Sequence, residues 1–483
     1  MIFRCKDPAE NDSQGCFFME CFYFRTDPEN SSALQQESIY DSQIRICTNT
    51  TRRECISVFY RMLREYTKFI CDRTFFMRME EAVMKKKIIF AALALSLACS
   101  GMLVQAAQLP EPGENGIITA ESWREMYPEI VASFDANNDN NYRISYIEED
   151  PYITNLYEGY GFAIDYTSAV GHTYCLEDVY NTERPHALAN CLTCKTPDFT
   201  KMVNDIGEEV YSYDFQETYG SMVESVGCYS CHENKVPEEN NLSVTHSYIT
   251  MALGEEYDGI APEILACGQC HIEYYFDPET KATRMPHSDI ATMGPEATLA
   301  YFDEMDFADW TQESTGTRML KAQHPEMETY LSGSFHAKMG LTCADCHMGE
   351  STSEAGVTYV NHYWRSPLEN ADLLETCAQC HKDTDMKEKV QAIQDEITAR
   401  ESEVGHALSD LKDGLAEAVA AGSYTDDQLD EIRKIYRSAQ WYWDYCYVEN
   451  SEGAHNSAFA RECLDKSEEL IGEGVAKLEA LEA

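Results

Sequence analysis

Residues 191–195 read CLTCK, and four later stretches repeat its cysteine spacing: CYSCH from 228, CGQCH from 267, CADCH from 343 and CAQCH from 377. Cys-x-x-Cys-His is the attachment signature of c-type haem, in which both thiols bond to the porphyrin and the histidine binds the iron. A zinc site would need cysteine pairs at finger spacing, whereas the intervals here are long and irregular. The repeats therefore predict covalent haems. The predicted haem-binding positions are Cys191, Cys194 and Lys195; Cys228, Cys231 and His232; Cys267, Cys270 and His271; Cys343, Cys346 and His347; and Cys377, Cys380 and His381.

The first motif places Lys195 where the other four place a histidine. A lysine ammonium has three donors and no lone pair, so it can bind iron only as the neutral amine. Burial and a neighbouring metal cation both favour that neutral form. An amine ligand would give this iron an electronic character unlike that of the imidazole-bound irons. The alternative interpretation is a disulfide or a chance cysteine pair with Lys195 in solvent.

A second informative stretch begins at Met84 and reads MKKKIIFAALALSLACSGMLVQAAQ. A start residue, a short basic segment, an apolar run and small residues before a cleavage point are typical of a secretory signal peptide. We therefore predict a signal peptide over 84–106, export to the periplasm or the outer face of the cytoplasmic membrane, and a mis-assigned extension over 1–83. Two alternatives are a membrane helix over 88–110 and lipid attachment at Cys99.

The chain has 483 residues, 20 cysteines and a formal net charge of −47. The acidic excess lies after residue 106, because the first 106 residues carry 14 basic and 13 acidic side chains. Such a charge argues against nucleic-acid binding. An anionic substrate would need a local positive site, whereas a cationic partner surface would be attracted.

Residues 107–483 are predicted to form one domain, with all five motifs between 187 and 385. From about 386 to 483 the pattern changes to three amphipathic helices without cofactor motifs, in which apolar residues recur three and four apart. Thr425 and its acidic neighbours give the second of these helices a start signal. The predicted fold is mainly α, a multihaem cytochrome c fold with long C-terminal helices. These helices form either a dimer face or an intrachain bundle.

The stretch DANNDNNYRISYIEED at 135–150 has acidic and amide side chains at alternating positions, as a calcium loop does. It has Asn140 at the position of the central glycine and Tyr146 at the position of the closing glutamate. We interpret it as a polar turn.

The motif set resembles the pentahaem cytochrome c nitrite reductases, the ammonia-forming enzymes. Other stretches that look like this family are CGQCHIEYYF at 267–276, KAQHPEMETYLSGSFH at 321–336, GHTYCLEDVY at 171–180, YVNHYWRSP at 359–367 and AQWYWDY at 439–445. The resemblance covers roughly 120–470. It implies five covalent haems, with Lys195 as the proximal ligand of a catalytic haem whose opposite side is open. It also implies four bis-histidine haems, with His362 opposite His232, His172 opposite His271, His455 opposite His347, and His336 opposite His381.

The same resemblance places Arg184, Tyr274 and His324 around the open iron position. Arg184 and His324 would hold and polarise the nitrite anion, and His324 and Tyr274 would help to supply protons. The alternative for Arg184 is a surface salt bridge. The family also has a calcium ion beside the active site. The matching ligands here are the side chains of Glu273 and Gln323 and the carbonyls of Tyr274 and Lys321, which are hard oxygen donors.

The resemblance implies the six-electron reduction of nitrite to ammonium by a homodimer. The electrons would come from a membrane quinol-oxidising multihaem cytochrome or a small soluble cytochrome. One alternative is the same fold acting mainly on hydroxylamine, nitric oxide or sulfite. Another is a non-catalytic electron-transfer cytochrome, for which Lys195 with Tyr274 and the KAQH segment would have no use. Cys175, Cys446 and Cys463 are additional thiols, and a Cys446–Cys463 disulfide is an expectation for an exported chain.

Overall fold

The computed structural model describes residues 109–482 except 186, 237–240 and 255–258, and the backbone of short strands before residue 48. The chain forms two compact units, Met1–Ala107 and Gln108–Ala483. The predicted signal peptide over 84–106 lies outside the described residues. Within the described part, no helix combines the length and the apolar composition that crossing a membrane requires.

The first unit contains the five described strands that precede residue 48. Strands β1 (Ile2–Lys6), β2 (Cys16–Phe22) and β5 (Ile44–Cys47) form an antiparallel sheet in the order β1-β2-β5, and β3 (Phe24–Arg25) pairs with β4 (Gln35–Gln36).

The second unit is mainly helical, which confirms the predicted fold class. Its α-helices are α1 (Pro128–Asp135), α2 (Tyr146–Glu149), α3 (Ile153–Leu156), α4 (Cys175–Asn181), α5 (Pro197–Ile206), α6 (Phe215–Tyr219), α7 (Tyr229–His232), α8 (Ser247–Leu253), α9 (Pro262–Gly268), α10 (Pro295–Glu304), α11 (Glu326–Leu331), α12 (Phe335–Lys338), α13 (Cys343–His347), α14 (Ala371–Cys377), α15 (Met386–Ala421), α16 (Asp426–Tyr447) and α17 (Ser457–Glu482). Short 3₁₀ helices cover Ala120–Trp123, Ala136–Asp139, Gly161–Asp165, His172–Tyr174, Ala189–Leu192, Glu208–Ser212, Ile290–Thr292 and Pro367–Glu369.

Three small antiparallel hairpins join the helices of this unit. Their strands are β6 (Tyr275–Phe276) with β7 (Thr283–Arg284), β8 (Trp310–Thr311) with β9 (Arg318–Met319), and β10 (Glu350–Thr352) with β11 (Thr358–Val360). The first and third hairpins follow haem motifs directly in the chain, and the second leads into the KAQH segment.

The three long C-terminal helices pack against one another as an intrachain bundle. Along α15 the buried residues Val404, Leu408, Leu411 and Leu415 are spaced four, three and four apart, which places them on one face. Burying each of these side chains stabilises the fold by about 1.5–3 kcal/mol. Thr425 caps α16 with a capping box, as its position predicts. The intrachain alternative is therefore the observed packing.

The predicted disulfide between Cys446 and Cys463 does not form in this structure. Both thiols are free and buried in the bundle. The Cys446 thiol donates instead to the Glu401 carboxylate, with Sγ 3.1 Å from Oε1. Burial raises the pKa of Glu401 to about 8, so this carboxyl group keeps its proton at neutral pH.

Candidate haem chain and active site

Each Cys-x-x-Cys-His motif is wound into about one helical turn. His232, His271 and His381 each donate their backbone N–H to the carbonyl of the first motif cysteine, at 2.9–3.0 Å. Residues i, i+3 and i+4 of such a turn lie on one face, so both thiols and the imidazole can address the same porphyrin. The first motif is wound more tightly, because the Lys195 N–H donates to Leu192, only three residues back.

The motifs contact one another through their cysteines in a definite order. Cys194 of the first motif lies close enough to Cys270 of the third to raise the pKa of that thiol. Cys267 of the third motif likewise raises the pKa of Cys343 of the fourth. The fourth and fifth motifs are close enough for Cys377 to raise the pKa of Cys346, after burial as the main cause. The motifs therefore form a row in the order first, third, fourth and fifth.

The second motif contacts the third motif. The Cys231 thiol lies 3.8 Å from the carbonyl of Ala266, the residue before the third motif. The third motif is thus the one that contacts three others among the described residues.

The structure brings the histidines predicted to share an iron close together. Because an imidazole nitrogen binds a transition metal at about 2 Å and its ring centre lies about 1 Å behind, two axial ligands have ring centres about 6 Å apart. The ring centres are separated by 5.9 Å for His172 and His271, 6.2 Å for His336 and His381, and 6.1 Å for His347 and His455. These separations fit an iron between the rings. The fourth pair is also close, since burial lowers the pKa of His362 to about 4 and His232 adds to that shift.

Several of these histidines are oriented by a bond at Nδ1, which leaves Nε2 for a metal. Their Nδ1 atoms lie at hydrogen-bond distance from oxygen atoms elsewhere in the chain. The distances are 3.1 Å for His232 to the Asn241 carbonyl, 2.9 Å for His347 to the Arg365 carbonyl, 2.9 Å for His362 to the Val360 carbonyl and 2.5 Å for His455 to the Glu449 carboxylate. The donor set therefore fits imidazole ligation.

The polar stretch at 135–150 holds the segment that carries His362. The His362 N–H donates to Ser133 Oγ at 2.9 Å, and Asn137 Nδ2 donates to the His362 carbonyl at 2.8 Å. Asn137 Oδ1 accepts from the Trp364 N–H at 3.0 Å. Its acidic neighbour Asp139 pairs with Arg365 at 3.2 Å. The stretch contains a 3₁₀ helix and the short helix α2 where a polar turn was predicted, and the sequence did not indicate the contacts of Asn137 with the segment of His362.

Lys195 and Arg184 each form a hydrogen bond that involves a main-chain carbonyl. Lys195 is half-buried, and its carbonyl accepts from the Cys175 thiol at 3.2 Å. Arg184 is also half-buried. Its Nε donates to the Asp165 carbonyl at 2.7 Å, and its guanidinium carbon lies 5.8 Å from the centre of the Tyr166 ring.

Tyr274 follows the third motif and is close to both first-motif cysteines. Burial raises the pKa of Tyr274 well above its usual value, and the nearby Cys194 and Cys191 add to this, whereas Arg184 opposes it. The phenol therefore keeps its proton at neutral pH. The Arg184 charge acting on Tyr274 also shows that these two predicted site residues are neighbours.

His324 lies beside the third motif and shares a carboxylate with it. The His324 ring centre is 6.2 Å from that of His271. Glu326 lies between them, 3.8 Å from His324 Nδ1 and 3.6 Å from His271 Nδ1. Burial opposes ionisation of Glu326, but contacts with the two imidazoles hold its pKa well below its usual range. Glu326 also accepts from Asn450 Nδ2 at 2.5 Å.

The residues predicted to bind calcium also lie together. Glu273 is buried; its Oε2 accepts from the Gln323 N–H at 2.7 Å, and its Oε1 is buried without a hydrogen-bond partner. Gln323 Nε2 lies 3.0 Å from the Lys321 carbonyl. Burial raises the pKa of Glu273 well above its usual range, with Glu328 and Asp309 adding to the shift. A divalent cation here would supply the missing partner for Glu273 Oε1, so these residues fit calcium.

Asp444 connects the KAQH segment to the C-terminal bundle. It is fully buried on α16 and accepts from three groups. These are Lys321 Nζ at 2.8 Å, the Ala322 N–H at 2.8 Å and the Tyr157 hydroxyl at 2.5 Å. Lys321 is buried as well, and its Nζ lies 4.9 Å from the centre of the Tyr157 ring. The bundle therefore positions the backbone on which Gln323 and His324 sit.

Sequence reasoning did not identify Asp444 or His246 as positioning residues. His246 is buried, with Nε2 3.0 Å from the Thr193 carbonyl and Nδ1 3.2 Å from Gln269 Oε1. It therefore joins the first motif to the third. Its only sequence signal is that it is a histidine left over after the predicted axial ligands are assigned.

A row of haem-attachment motifs with paired histidines defines a multihaem c-type cytochrome. The chain belongs to the cytochrome c552 family, whose model matches residues 119–483. It is similar to the catalytic subunit NrfA of cytochrome c nitrite reductase from Desulfovibrio desulfuricans ATCC 27774, a structure with two calcium sites. That similarity has a TM-score of 0.66 and 26% identity over 74% of this chain and 86% of that chain.

Two further solved structures are similar to a lower degree. The outer cell wall cytochrome OcwA has a TM-score of 0.36 and 18% identity, over 62% of this chain and 48% of that chain. The undecahaem cytochrome from the S-layer of Carboxydothermus ferrireducens has a TM-score of 0.33 and 16% identity, over 64% and 41%.

Proposed function

We propose that this chain is a pentahaem nitrite reductase that reduces nitrite to ammonium beside Lys195. The observation that carries the proposal is the arrangement around the first motif. The one motif that ends in lysine stands at an end of the motif row, with Arg184 and Tyr274 as neighbours. His324, on the KAQH segment, lies beside the third motif, with its ring centre 6.2 Å from that of His271. A pure electron carrier has no need for Lys195 together with Tyr274 and the KAQH segment.

Arg184 is the group that binds the substrate anion. The chain is strongly acidic, so nitrite needs a local positive site to approach. The Nε bond to the Asp165 carbonyl and the Tyr166 ring fix the plane of the guanidinium. A guanidinium recognises a planar anion with two oxygens through paired N–H groups, and nitrite is such an anion.

His324 and Tyr274 supply protons to the oxygens that leave as water. When bound, the haem at Lys195 supplies an open coordination position and the electrons for reduction. Tyr274 keeps its phenolic proton and donates a hydrogen bond to the bound anion. Glu326 Oε1 lies 3.8 Å from His324 Nδ1, and His324 is the imidazole of this segment that can pass a proton to an N–O oxygen.

Calcium would complete the wall of this site. Glu273, Gln323 and the carbonyls of Tyr274 and Lys321 supply oxygen donors, and a cation there would partly offset the negative field of the chain near the substrate. It would also fix the loop of Gln323 and His324, which Asp444 holds from the other side.

The motif order supports a path for electrons that enters from other haems and ends at Lys195. We further propose that the mature chain is 107–483, exported by the signal peptide over 84–106. In this proposal it works as a homodimer in the periplasm or at the outer face of the cytoplasmic membrane. Its donor is a membrane quinol-oxidising multihaem cytochrome or a small soluble cytochrome.

Anaerobic turnover with a chemical reductant tests the proposal. We expect near-stoichiometric ammonium from nitrite, and a loss of at least tenfold in rate for Lys195→Ala with all other haems retained. The matched control is Lys382→Ala, an exposed lysine that follows the fifth motif and should leave the rate unchanged. A protein that carries all five haems and forms no ammonium would refute the assignment. Parallel assays with hydroxylamine, nitric oxide and sulfite would identify another preferred substrate.

A further inference from the structure

Glu449 is a buried carboxylate that contacts a predicted axial histidine. It follows α16 and is 5% exposed. Its Oε1 accepts from His455 Nδ1 at 2.5 Å, and its Oε2 accepts from the Ser451 hydroxyl at 2.6 Å. The His455 N–H in turn donates to Ser451 Oγ at 2.9 Å. No lysine or arginine among the described residues forms an ion pair with Glu449, so its negative charge faces the imidazole alone.

This arrangement differs from that of the other axial histidines whose Nδ1 partner is described. His232, His347 and His362 each donate to a backbone carbonyl, which is a neutral acceptor. Glu326 comes near His271, but at 3.6 Å it is beyond hydrogen-bond distance, and it is shared with Asn450. His455 is therefore distinguished by a direct, short bond to a carboxylate.

A carboxylate in this position changes the electron affinity of the iron on the far side of the ring. A histidine that donates its second N–H to a carboxylate becomes a more basic ligand, which favours the higher oxidation state. A buried negative charge also disfavours the addition of an electron nearby, because the interior screens it weakly. Second-sphere hydrogen bonding is one of the ways in which a protein sets a haem potential.

We propose that Glu449 is a positioning residue that lowers the midpoint potential of the haem shared by His347 and His455. This inference rests on the haem ligation of the proposed function. The fourth motif carries this haem and contacts the third through Cys343 and Cys267. The third motif contacts the first through Cys270 and Cys194. A lowered potential in the fourth motif makes electron transfer from this haem toward Lys195 more favourable than it would be without Glu449.

Spectropotentiometry of the holoprotein tests this inference. In Glu449→Gln the hydrogen bond to His455 can persist while the charge is lost, so we expect one low-spin couple to shift to higher potential. His455→Met identifies that couple, since it changes a ligand of the same iron. Glu401→Gln controls for a glutamate-to-glutamine change at a buried site, because Glu401 is as buried as Glu449 and its described side-chain partner is the Cys446 thiol. It should leave every couple in place.

Two outcomes would overturn the proposal. One is an unchanged couple in a Glu449→Gln protein with full haem content and unaltered low-spin signals. If that variant does not assemble, Ser451→Ala decides instead: removing the hydroxyl leaves more negative charge on Glu449, so the same couple should shift to lower potential, and an unchanged couple refutes the role. Haem content and ligation are read separately from potential. A chain in which His455 binds no iron would therefore overturn the ligation on which the inference rests, independently of Glu449.

Discussion

Replacing Asp444 by alanine removes the acceptor that joins the KAQH segment to α16. The change leaves the buried Lys321 ammonium without its carboxylate partner, and it leaves the Ala322 N–H and the Tyr157 hydroxyl without their acceptor. Breaking a buried ion pair by deleting one partner costs about 3–5 kcal/mol. The two lost hydrogen bonds overlap with that cost and do not simply add to it. We therefore expect the free energy of unfolding to fall by about 3–5 kcal/mol.

Urea unfolding followed by far-UV circular dichroism measures this difference, provided that parent and variant have the same m value. The control is Asp430→Ala on the same helix. Asp430 is half-exposed and pairs with Arg433 at 2.6 Å, so its loss should cost no more than about 1 kcal/mol. If the two alanine variants lose equal stability, Asp444 does not tie the two elements together. In a double-mutant cycle with Lys321→Met, the two single losses should exceed the loss of the double variant.

Three further outcomes follow from the same structure. Asn137→Ala should lower the stability by about 1–3 kcal/mol, because two backbone groups beside His362 lose their partners, and should weaken the low-spin signal of that haem in electron paramagnetic resonance. Burial raises the pKa of Glu401 from 4.5 to about 8, so between these pH values the folded state holds a proton that the unfolded chain has lost. The contribution of Glu401 to the free energy of unfolding should therefore decline as the pH rises from 4.5 to about 8. In urea unfolding at a series of pH values, Glu401→Gln should remove this contribution to the decline. Protein washed free of loose ions should retain one calcium per chain by elemental analysis, and Glu273→Gln should lose it while Glu401→Gln keeps it.

The sequence predicted the parts of this protein that short-range patterns determine. Apolar residues three and four apart predicted the three long helices, and Thr425 marked the start of α16 correctly. The sequence did not mark the start of α17 at Ser457, where Asn456 accepts from the Phe459 N–H and Ala460 is buried against the bundle. The helical period in that first turn is too short to be recognised without its packing partners.

The positioning contacts could not be predicted, because they join residues far apart in the chain. Asp444 meets Lys321 across more than a hundred residues, and His246 meets Thr193 across more than fifty. Nothing in the letters around either residue marks the partner. The disulfide between Cys446 and Cys463 was predicted but is not observed. Two cysteines in a chain predicted to be exported suggested this bond, and the packing does not form it.

The meeting of three motifs at residues 267–271 gives the motif network a single point on which every connection to Lys195 depends. Damage to the fifth motif would remove only its contact with the fourth motif, and damage to the second would remove only its contact with the third. Damage at Cys267 or Cys270 would isolate the lysine-bearing motif from all the others at once. Tolerance to change should therefore increase with distance from this junction.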